Sequence, residues 1–393
     1  MSALVLCRTF PPMLGGLERY TSELLRRTKY PVTVVAPAFP GSRQFDAALN
    51  YPVRRFPTPA SWLHGKRPLL PLAAWAVQAA MRERPSVVVS DQVQSAGVGL
   101  PLARTYGIPH LLFAYGREIQ RPSARWAKSY AFKHSDVVIV ISEFTRRLLQ
   151  ERFGVPPERI RLVRPGVDTN WFVPTESKEP IRAELGLPRE AAVLLTAGRL
   201  SSDSRYKGFD RILRMTHSLI TDLPDLTVCI VGDGNDRPYL EDLARSTGIE
   251  KNVRFCGRVS DAQFLKLYQA ADLFVLPSGS ADPQSVGVEG YGIVFAEAAS
   301  CGLPTVAYGV GGVTDVVVDG ETGRLVPPDE IALRDEVLHL LMNPMARSAM
   351  AVAAREHALL HLGWQQSARE FSAILNELTG SIAATDPRGR ALL

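Results

Sequence analysis

The run Val286-Gly-Val-Glu-Gly-Tyr-Gly-Ile-Val-Phe-Ala-Glu-Ala-Ala-Ser-Cys-Gly-Leu-Pro304 decides how this chain is read. It starts as a glycine-punctuated turn and becomes helical near Ile293. It stops at Gly302-Leu303-Pro304, where glycine suits a helix C-cap and proline forbids continuation. A loop that ends on a helix N-terminus presents backbone N–H groups and about half a unit of positive charge, which suits a phosphate or an array of sugar hydroxyls. Gly290 and Gly292 let the backbone approach a ligand with no Cβ in between. Glu289 stands before the turn and Glu297 one helical turn inside it. A carboxylate accepts hydrogen bonds from two neighbouring hydroxyls at once, so the spacing suits two diols of one ligand. The small run Ala296, Ala298, Ala299, Ser300 predicts a helix lying close on a sheet. On spacing alone, the same glutamates equally fit the solvated face of a surface helix.

The chain has 393 residues, 46% of them hydrophobic, which is enough for two sizeable cores, and two α/β domains are the natural expectation. Cys7, Cys229, Cys256 and Cys301 lack metal-ligand spacing and sit in apolar or strand-like contexts, predicting reduced core residues in a cytoplasmic protein. The start, Met-Ser-Ala-Leu-Val-Leu-Cys, runs straight into a strand without a charged leader, so no signal peptide is expected. The longest apolar run, Leu69 to Met81, is too short to span a bilayer.

Charge is unevenly placed. Up to Asn170 there are 24 Lys and Arg against 11 Asp and Glu, and after it 21 against 29, so a net of +13 is followed by −8. A basic first half predicts an anionic partner, either a phosphate-bearing acceptor or an acidic membrane surface touched peripherally at the inner face. No helix-turn-helix, zinc or RNA-stacking signature accompanies it, which disfavours nucleic acid. A solvated basic face without a partner stays open.

In chain order, Ala3 to Cys7 reads as a strand, Arg8 to Gly16 as a glycine loop, Leu17 to Lys29 as a helix and Val32 to Ala36 as a second strand, a βαβ opening. Ligands of such sheets bind beyond the C-terminal strand ends, where Gly15-Gly16 sits. Strands at Val87 to Ser90, Leu111 to Ala114 and Val137 to Ile141 alternate with helices over Ser95 to Tyr106, Ser123 to His134 and Glu143 to Phe153. Two basic clusters carry tryptophan: Trp62, His64, Lys66 and Arg67, then Arg117, Arg121, Arg125, Trp126, Lys128 and Lys133. Such clusters suit a membrane interface and equally a packed, charged helix face. Phe113-Ala114-Tyr115-Gly116 follows a strand end.

A second α/β unit begins with the strand Ala192 to Thr196, then Gly198-Arg199-Leu200, a polar loop and Arg205-Tyr206-Lys207-Gly208 opening a helix. A fixed guanidinium and ammonium at Arg199 and Lys207 suit the negative charge that develops when a phosphate departs, with no metal required; taken singly they are also ordinary surface cations. Gly232-Asp233-Gly234 falls short of a dinucleotide fingerprint because Arg237 takes the last glycine's place. Val253 to Val259 reads as a strand and turn carrying Arg258, Ala270 to Ser278 as a buried strand, and the loop 279–288 as polar and mobile. After the central helix come a strand at Thr305 to Ala307, a turn at Gly309 to Gly312, and Gly323 to Pro328.

Glu289 to Glu297, two glutamates with seven residues between them, then Gly302 and Pro304, resembles the signature of retaining glycosyltransferases of family 4. Phe10-Pro11-Pro12 with Gly15-Gly16, Gly198-Arg199-Leu200, and Arg205-Tyr206-Lys207-Gly208 resemble further motifs of that family. The resemblance implies the GT-B fold: two doubly wound Rossmann-like domains facing a cleft, an acceptor domain over 1–168 and a nucleotide-sugar domain over 169–363. A helix over 364–379 would cross back to brace the first domain, and 380–393 would be a disordered tail.

It also implies transfer of a hexose from a nucleoside diphosphate sugar to a glycan or lipid acceptor, with retention and no metal. The absence of an Asp-x-Asp motif agrees. Arg199 and Lys207 would bind the diphosphate, Glu289 with the amides of Gly292 and Ile293 would orient the sugar, and Glu297 would hold the ribose. Gly15 and Gly16 would approach the donor phosphate, Arg258 would neighbour the base, and Gly290, Tyr291 and Val294 complete the substrate-binding set. Tyr115 stands where many members have histidine, which puts a role needing imidazole in doubt. The glycine motifs look most like bacterial phosphatidylinositol mannoside mannosyltransferases, favouring GDP-mannose; a UDP-sugar donor, a sugar-nucleotide epimerase and a non-catalytic nucleotide-sugar binder are the alternatives.

Overall fold

Short runs such as Ala-Leu-Val-Leu at the start, Val-Val-Ile-Val at Val137 and Leu-Phe-Val-Leu at Leu273 are apolar at every position, the pattern of strands covered on both faces. In the computed structural model all of them are buried strands of parallel sheets. The structure describes residues 1–13, 15–58, 69–120, 123–280 and 287–384. Trp62, His64, Lys66, Arg67, Arg121, the 281–286 part of the polar loop and 385–393 of the expected tail lie outside the described residues.

The chain divides into two units, Met1–Pro165 with Trp364–Leu393, and Gly166–Gly363. The first contains β1 (Ala3–Leu6), α1 (Gly16–Arg27), β2 (Val32–Pro37), α2 (Ser42–Asp46), β3 (Val53–Phe56), α3 (Leu69–Glu83), β4 (Val87–Ser90), α4 (Ala96–Tyr106), β5 (His110–Ala114), α5 (Arg117–Gln120), α6 (Arg125–His134), β6 (Val137–Val140), α7 (Glu143–Phe153) and β7 (Ile160–Leu162). Its seven strands run parallel in the order β3-β2-β1-β4-β5-β6-β7. The sequence reading passed over both edge strands. β3 is Val-Arg-Arg-Phe, only partly buried over its first three residues, and β7 is three residues long, so neither shows the continuous apolar signal of an inner strand.

The second unit holds α8 (Glu179–Leu185), β8 (Val193–Ala197), α9 (Phe209–Leu219), β9 (Thr227–Val231), α10 (Arg237–Ser246), β10 (Val253–Gly257), α11 (Asp261–Ala270), β11 (Leu273–Leu276), α12 (Ile293–Ser300), β12 (Thr305–Tyr308), β13 (Gly323–Val326), α13 (Glu330–Met342) and α14 (Pro344–His361). Its six parallel strands take the order β10-β9-β8-β11-β12-β13. α9 shows how sequence sets orientation: Phe209, Ile212, Leu213, Met215, Thr216 and Leu219 recur at helical spacing and are all buried. α11 opens on a capping box, with Ser260 and Gln263 each bonding the other's backbone. Arg182 of α8 is buried and ties this unit internally, donating to the Ala270, Arg189 and Ala191 carbonyls and to the Asp272 carboxylate at 2.7 Å.

The last helix, α15 (Trp364–Ala384), belongs to the first unit and runs beyond the 364–379 span read from sequence. It packs along α1. Trp364 and Phe371 are buried, their rings 5.9 Å from Tyr20 and 5.7 Å from Phe113. Ser372 Oγ and Thr28 Oγ1 are 2.7 Å apart, and Ser367 Oγ donates to the Arg164 carbonyl at 2.6 Å. If this helix is part of the core, Phe371→Ala destabilises the first unit by about 3–5 kcal/mol. A denaturant titration reads it as an earlier transition; a shift below about 1 kcal/mol would show the helix to be dispensable.

Candidate functional site

In both sheets the strand order reverses once, between β1 and β4 and between β8 and β11, and open α/β sheets bind ligands beyond the strand ends at such a point. In the second unit Gly198 and Arg199 leave β8 there, and the loop leading to Glu289 follows β11. Lys207 ends a 3₁₀ segment, Ser202–Lys207, just before α9. Its side chain folds back over the strand end, so that a Cβ on Gly198 would stand 3.0 Å from Lys207 Cδ. Lys207 Nζ then donates to Glu289 Oε2 at 2.6 Å.

These two side chains are only 14% and 18% exposed, so solvent screens the pair weakly. Burial works against the charge on Lys207, and Arg199 opposes it too. The Glu289 carboxylate outweighs both and holds the ammonium above its ordinary range. Arg199 itself is exposed. Arg211 of α9 fixes the exit of β11 by donating to the carbonyls of Pro277 and Gly279 at 2.9 and 2.6 Å.

The Glu289 loop is held by backbone contact. Gly312 N donates to the Glu289 carbonyl at 2.8 Å, and a Cβ on Gly312 would lie 2.0 Å from the Gly290 carbonyl oxygen, so only glycine fits. Gly292 caps α12 at φ +91°, a left-handed conformation that glycine adopts freely. Ile293 and Val294 form the first turn, partly buried, and Tyr291 is buried. The helix ends in a Schellman motif: Gly302 N donates to the Ala299 carbonyl and Leu303 N to that of Ala298.

Glu297 faces different surroundings from Glu289. It is buried, and its Oε2 accepts from Tyr268 Oη at 3.0 Å. The two carboxylates therefore do not form one solvent-facing pair. Arg258 is exposed beyond Gly257 at the end of β10, two strands from β8 in the same row of strand ends. The structure thus brings Arg199, Lys207 and Glu289 together, places Gly290 to Val294 beside them, and leaves Arg258 along the row.

In the first unit, Gly15 and Gly16 begin α1 after β1. Gly15 is extended, and the Glu18 side chain turns back so closely that a Cβ there would meet Glu18 Oε2 at 2.2 Å. Tyr115 lies in an aromatic stack, its ring 6.0 Å from Phe113 and edge-on to Tyr20, and its hydroxyl is 3.1 Å from Thr21 Oγ1. Burial raises its phenol well above the ordinary range. Lys128, read as part of a basic surface cluster, is buried instead, donating to the Glu118 carbonyl at 2.7 Å.

The family model described as glycosyltransferase family 4 matches residues 14–171, and the model described as glycosyl transferases group 1 matches residues 177–357. The chain is 30% identical to a GDP-mannose-dependent alpha-(1-6)-phosphatidylinositol monomannoside mannosyltransferase of Mycolicibacterium smegmatis, over 95% of this chain and 98% of that one. The chain belongs to glycosyltransferase family 4. A GDP-mannose-dependent monoacylated alpha-(1-6)-phosphatidylinositol monomannoside mannosyltransferase of Corynebacterium glutamicum is 28% identical over 98% of each chain.

Two solved structures share the GT-B fold with this glycosyltransferase. Anabaena HepE in complex with UDP is 21% identical with a TM-score of 0.80, covering 96% of this chain and 100% of that one. Sucrose-phosphate synthase of Thermosynechococcus elongatus is also 21% identical, with a TM-score of 0.78 over 98% and 99%. This family 4 glycosyltransferase transfers a sugar from a nucleotide sugar.

The sequence reading missed one titratable group at the reversal point of its first sheet. Asp91 follows β4 and accepts from Arg8 N at 3.2 Å and Ser95 Oγ at 3.0 Å. The signal was an acid closing the run Val-Val-Val-Ser, the position where strand-end ligands bind. Burial pushes its carboxyl up to about 7. The folded enzyme then holds a proton there that the unfolded chain releases near pH 4, so this group costs stability as pH rises from about 4 to about 7. Asp91→Asn removes that slope: in denaturation curves across the window, the stability difference between variant and parent grows in the variant's favour with pH. A difference that stays flat would contradict the shift.

Proposed function

We propose that the chain transfers mannose from GDP-mannose to a lipid-linked acceptor of the phosphatidylinositol mannoside class, with retention at the anomeric carbon and without a divalent cation. The observation that carries the chemistry is the Lys207–Glu289 contact beside Arg199. Cleavage of the sugar–phosphate bond leaves charge on the departing phosphate, and two cations beside it stabilise that charge more than the ground state. Arg199 presents a planar fork to phosphate oxygens, and Lys207 a point charge whose position Glu289 sets. Glu289 also has the acceptor capacity to orient sugar hydroxyls, with the amides at the start of α12 beside it. In this reading the acceptor hydroxyl approaches on the face the phosphate leaves, and the phosphate takes its proton. Glu297, bonded to Tyr268, would hold the ribose from a rigid position.

GDP-mannose is supported by the two relatives matched over almost their whole length, both named for that donor. A lipid acceptor met at a membrane surface is supported by the first unit itself. On α3, Leu70, Val77 and Met81 are exposed at helical spacing, and on α6, Trp126 and Tyr130 are exposed among Arg125 and Lys133. No helix among the described residues is long and apolar enough to cross a membrane, so this contact is peripheral in the reading.

Transfer assays with purified protein test it. GDP-mannose should be used in preference to UDP-glucose on a phosphatidylinositol mannoside acceptor, with activity retained in a chelator; preference for the uridine donor would defeat the mannosyl reading. Lys207→Ala should lower kcat by roughly 10²–10³-fold. A loss of nucleotide affinity alone, with no turnover in either protein, would favour a non-catalytic binder.

A further inference from the structure

α12, which carries Glu297, is only 8 residues long, too short to hold one rotational setting by its own hydrogen bonds. Its setting comes from ties to its surroundings within the second unit. At the C-terminal end Ser300 Oγ donates to the Phe172 carbonyl at 2.7 Å. Arg355 of α14 donates to the Ser300 carbonyl, also at 2.7 Å, placing a cation where helix carbonyls lack partners. Nearer the other end stands Tyr268 of α11. Its hydroxyl donates to Glu297 Oε2 at 3.0 Å and lies 3.3 Å from the Val294 carbonyl oxygen. Tyr268 thus reaches both the backbone of the first turn and the carboxylate one turn further on.

The phenol is itself fixed. Tyr268 is 1% exposed, and its ring meets those of Phe172, Phe264 and Phe274 at centroid distances of 5.8, 4.5 and 5.9 Å. A hydroxyl on such a ring donates along a set direction. A carboxylate has about four acceptor sites, so one bond to the phenol orients it and leaves capacity for a diol. Without that bond a glutamate side chain chooses among several staggered rotamers, and selecting one on ligand binding costs free energy.

We propose that Tyr268 is a positioning residue for nucleotide recognition: it holds Glu297 in the orientation that receives the ribose hydroxyls, and so sets a preference for ribonucleotides over nucleotides lacking those hydroxyls. This rests on the reading that Glu297 holds the ribose. The competing role for a buried tyrosine is to fill space between α11, β11 and α12. Tyr268→Phe separates the two roles, because it keeps the ring among its aromatic neighbours and removes only the hydroxyl.

The test titrates the full-length protein with GDP and 2′,3′-dideoxy-GDP, and with UDP and its dideoxy counterpart, so that the outcome does not depend on which base the site takes. Hydrogen bonds to a charged group are expected to favour the ribonucleotide by about tenfold or more in the parent. In Tyr268→Phe the ratio should fall to about two- to threefold. Affinity for the dideoxynucleotide should stay unchanged, which also shows the variant to be folded. Glu297→Gln should lower the ratio likewise, and adding Tyr268→Phe to it should change little further, because both act on one contact. A ratio that keeps the parent's value in Tyr268→Phe, whether or not both affinities drop together, overturns the proposal and leaves the ribose reading intact. A parent that does not distinguish ribonucleotide from dideoxynucleotide overturns the ribose reading, and the proposal with it.

Discussion

An ammonium and a carboxylate, 82 residues apart in sequence and 2.6 Å apart in space, set the constraint on which the second unit depends. Either charge alone in that partly closed setting would carry a desolvation penalty of several kcal/mol. Together they offset it, and in doing so they hold the loop before α9 against the loop before α12. The pair is thus both a structural tie and the place where opposite charges, a nearby guanidinium and a helix N-terminus converge on a small volume. Charge concentrated in this way, and only weakly screened, is suited to differential stabilisation of a transition state.

The sheet order makes the tie possible. β8 and β11 are neighbours although β9 and β10 intervene in sequence, so the loops that leave them emerge side by side. Arg211 then clamps the β11 exit, and the backbone of Gly312 presses the Glu289 loop from the other side. Each of these supports acts on backbone atoms, which suits a site that must keep its geometry while one side chain changes partner. The first unit repeats the arrangement on its own sheet: Asp91 at the end of β4 bonds Arg8 just after β1. Its buried, proton-holding carboxyl gives that reversal point a different electrostatic character from the cationic one in the second unit.

Much of this was legible in the sequence because the signals were local. The inner strands are short runs of apolar residues, and Gly292 and Gly302 mark the two ends of α12 by conformations that other residues avoid. Each family motif rests on residues close together in the chain, and three separate motifs named Arg199, Lys207 and Glu289. What escaped depended on contacts distant in sequence. Nothing near Glu297 announces that Tyr268 will bond its carboxylate, and nothing near Tyr115 announces the stack with Tyr20 and Phe113. The burial of Lys128 required knowing where the Glu118 carbonyl would lie. The edge strands β3 and β7 lack a periodic signal because one side of each pairs with nothing in the sheet. Cys256, read as a core residue, is only partly covered because its strand β10 is an edge of the sheet.

The most direct measurement of the central claim is a crystal structure of the protein with GDP. The account predicts the diphosphate within hydrogen-bond distance of both Arg199 and Lys207, at the ends of β8 and β11, with Glu289 adjacent to the terminal phosphate. A nucleotide bound with its phosphates away from those two cations, for instance wholly on the glycines at the start of α1, would contradict it.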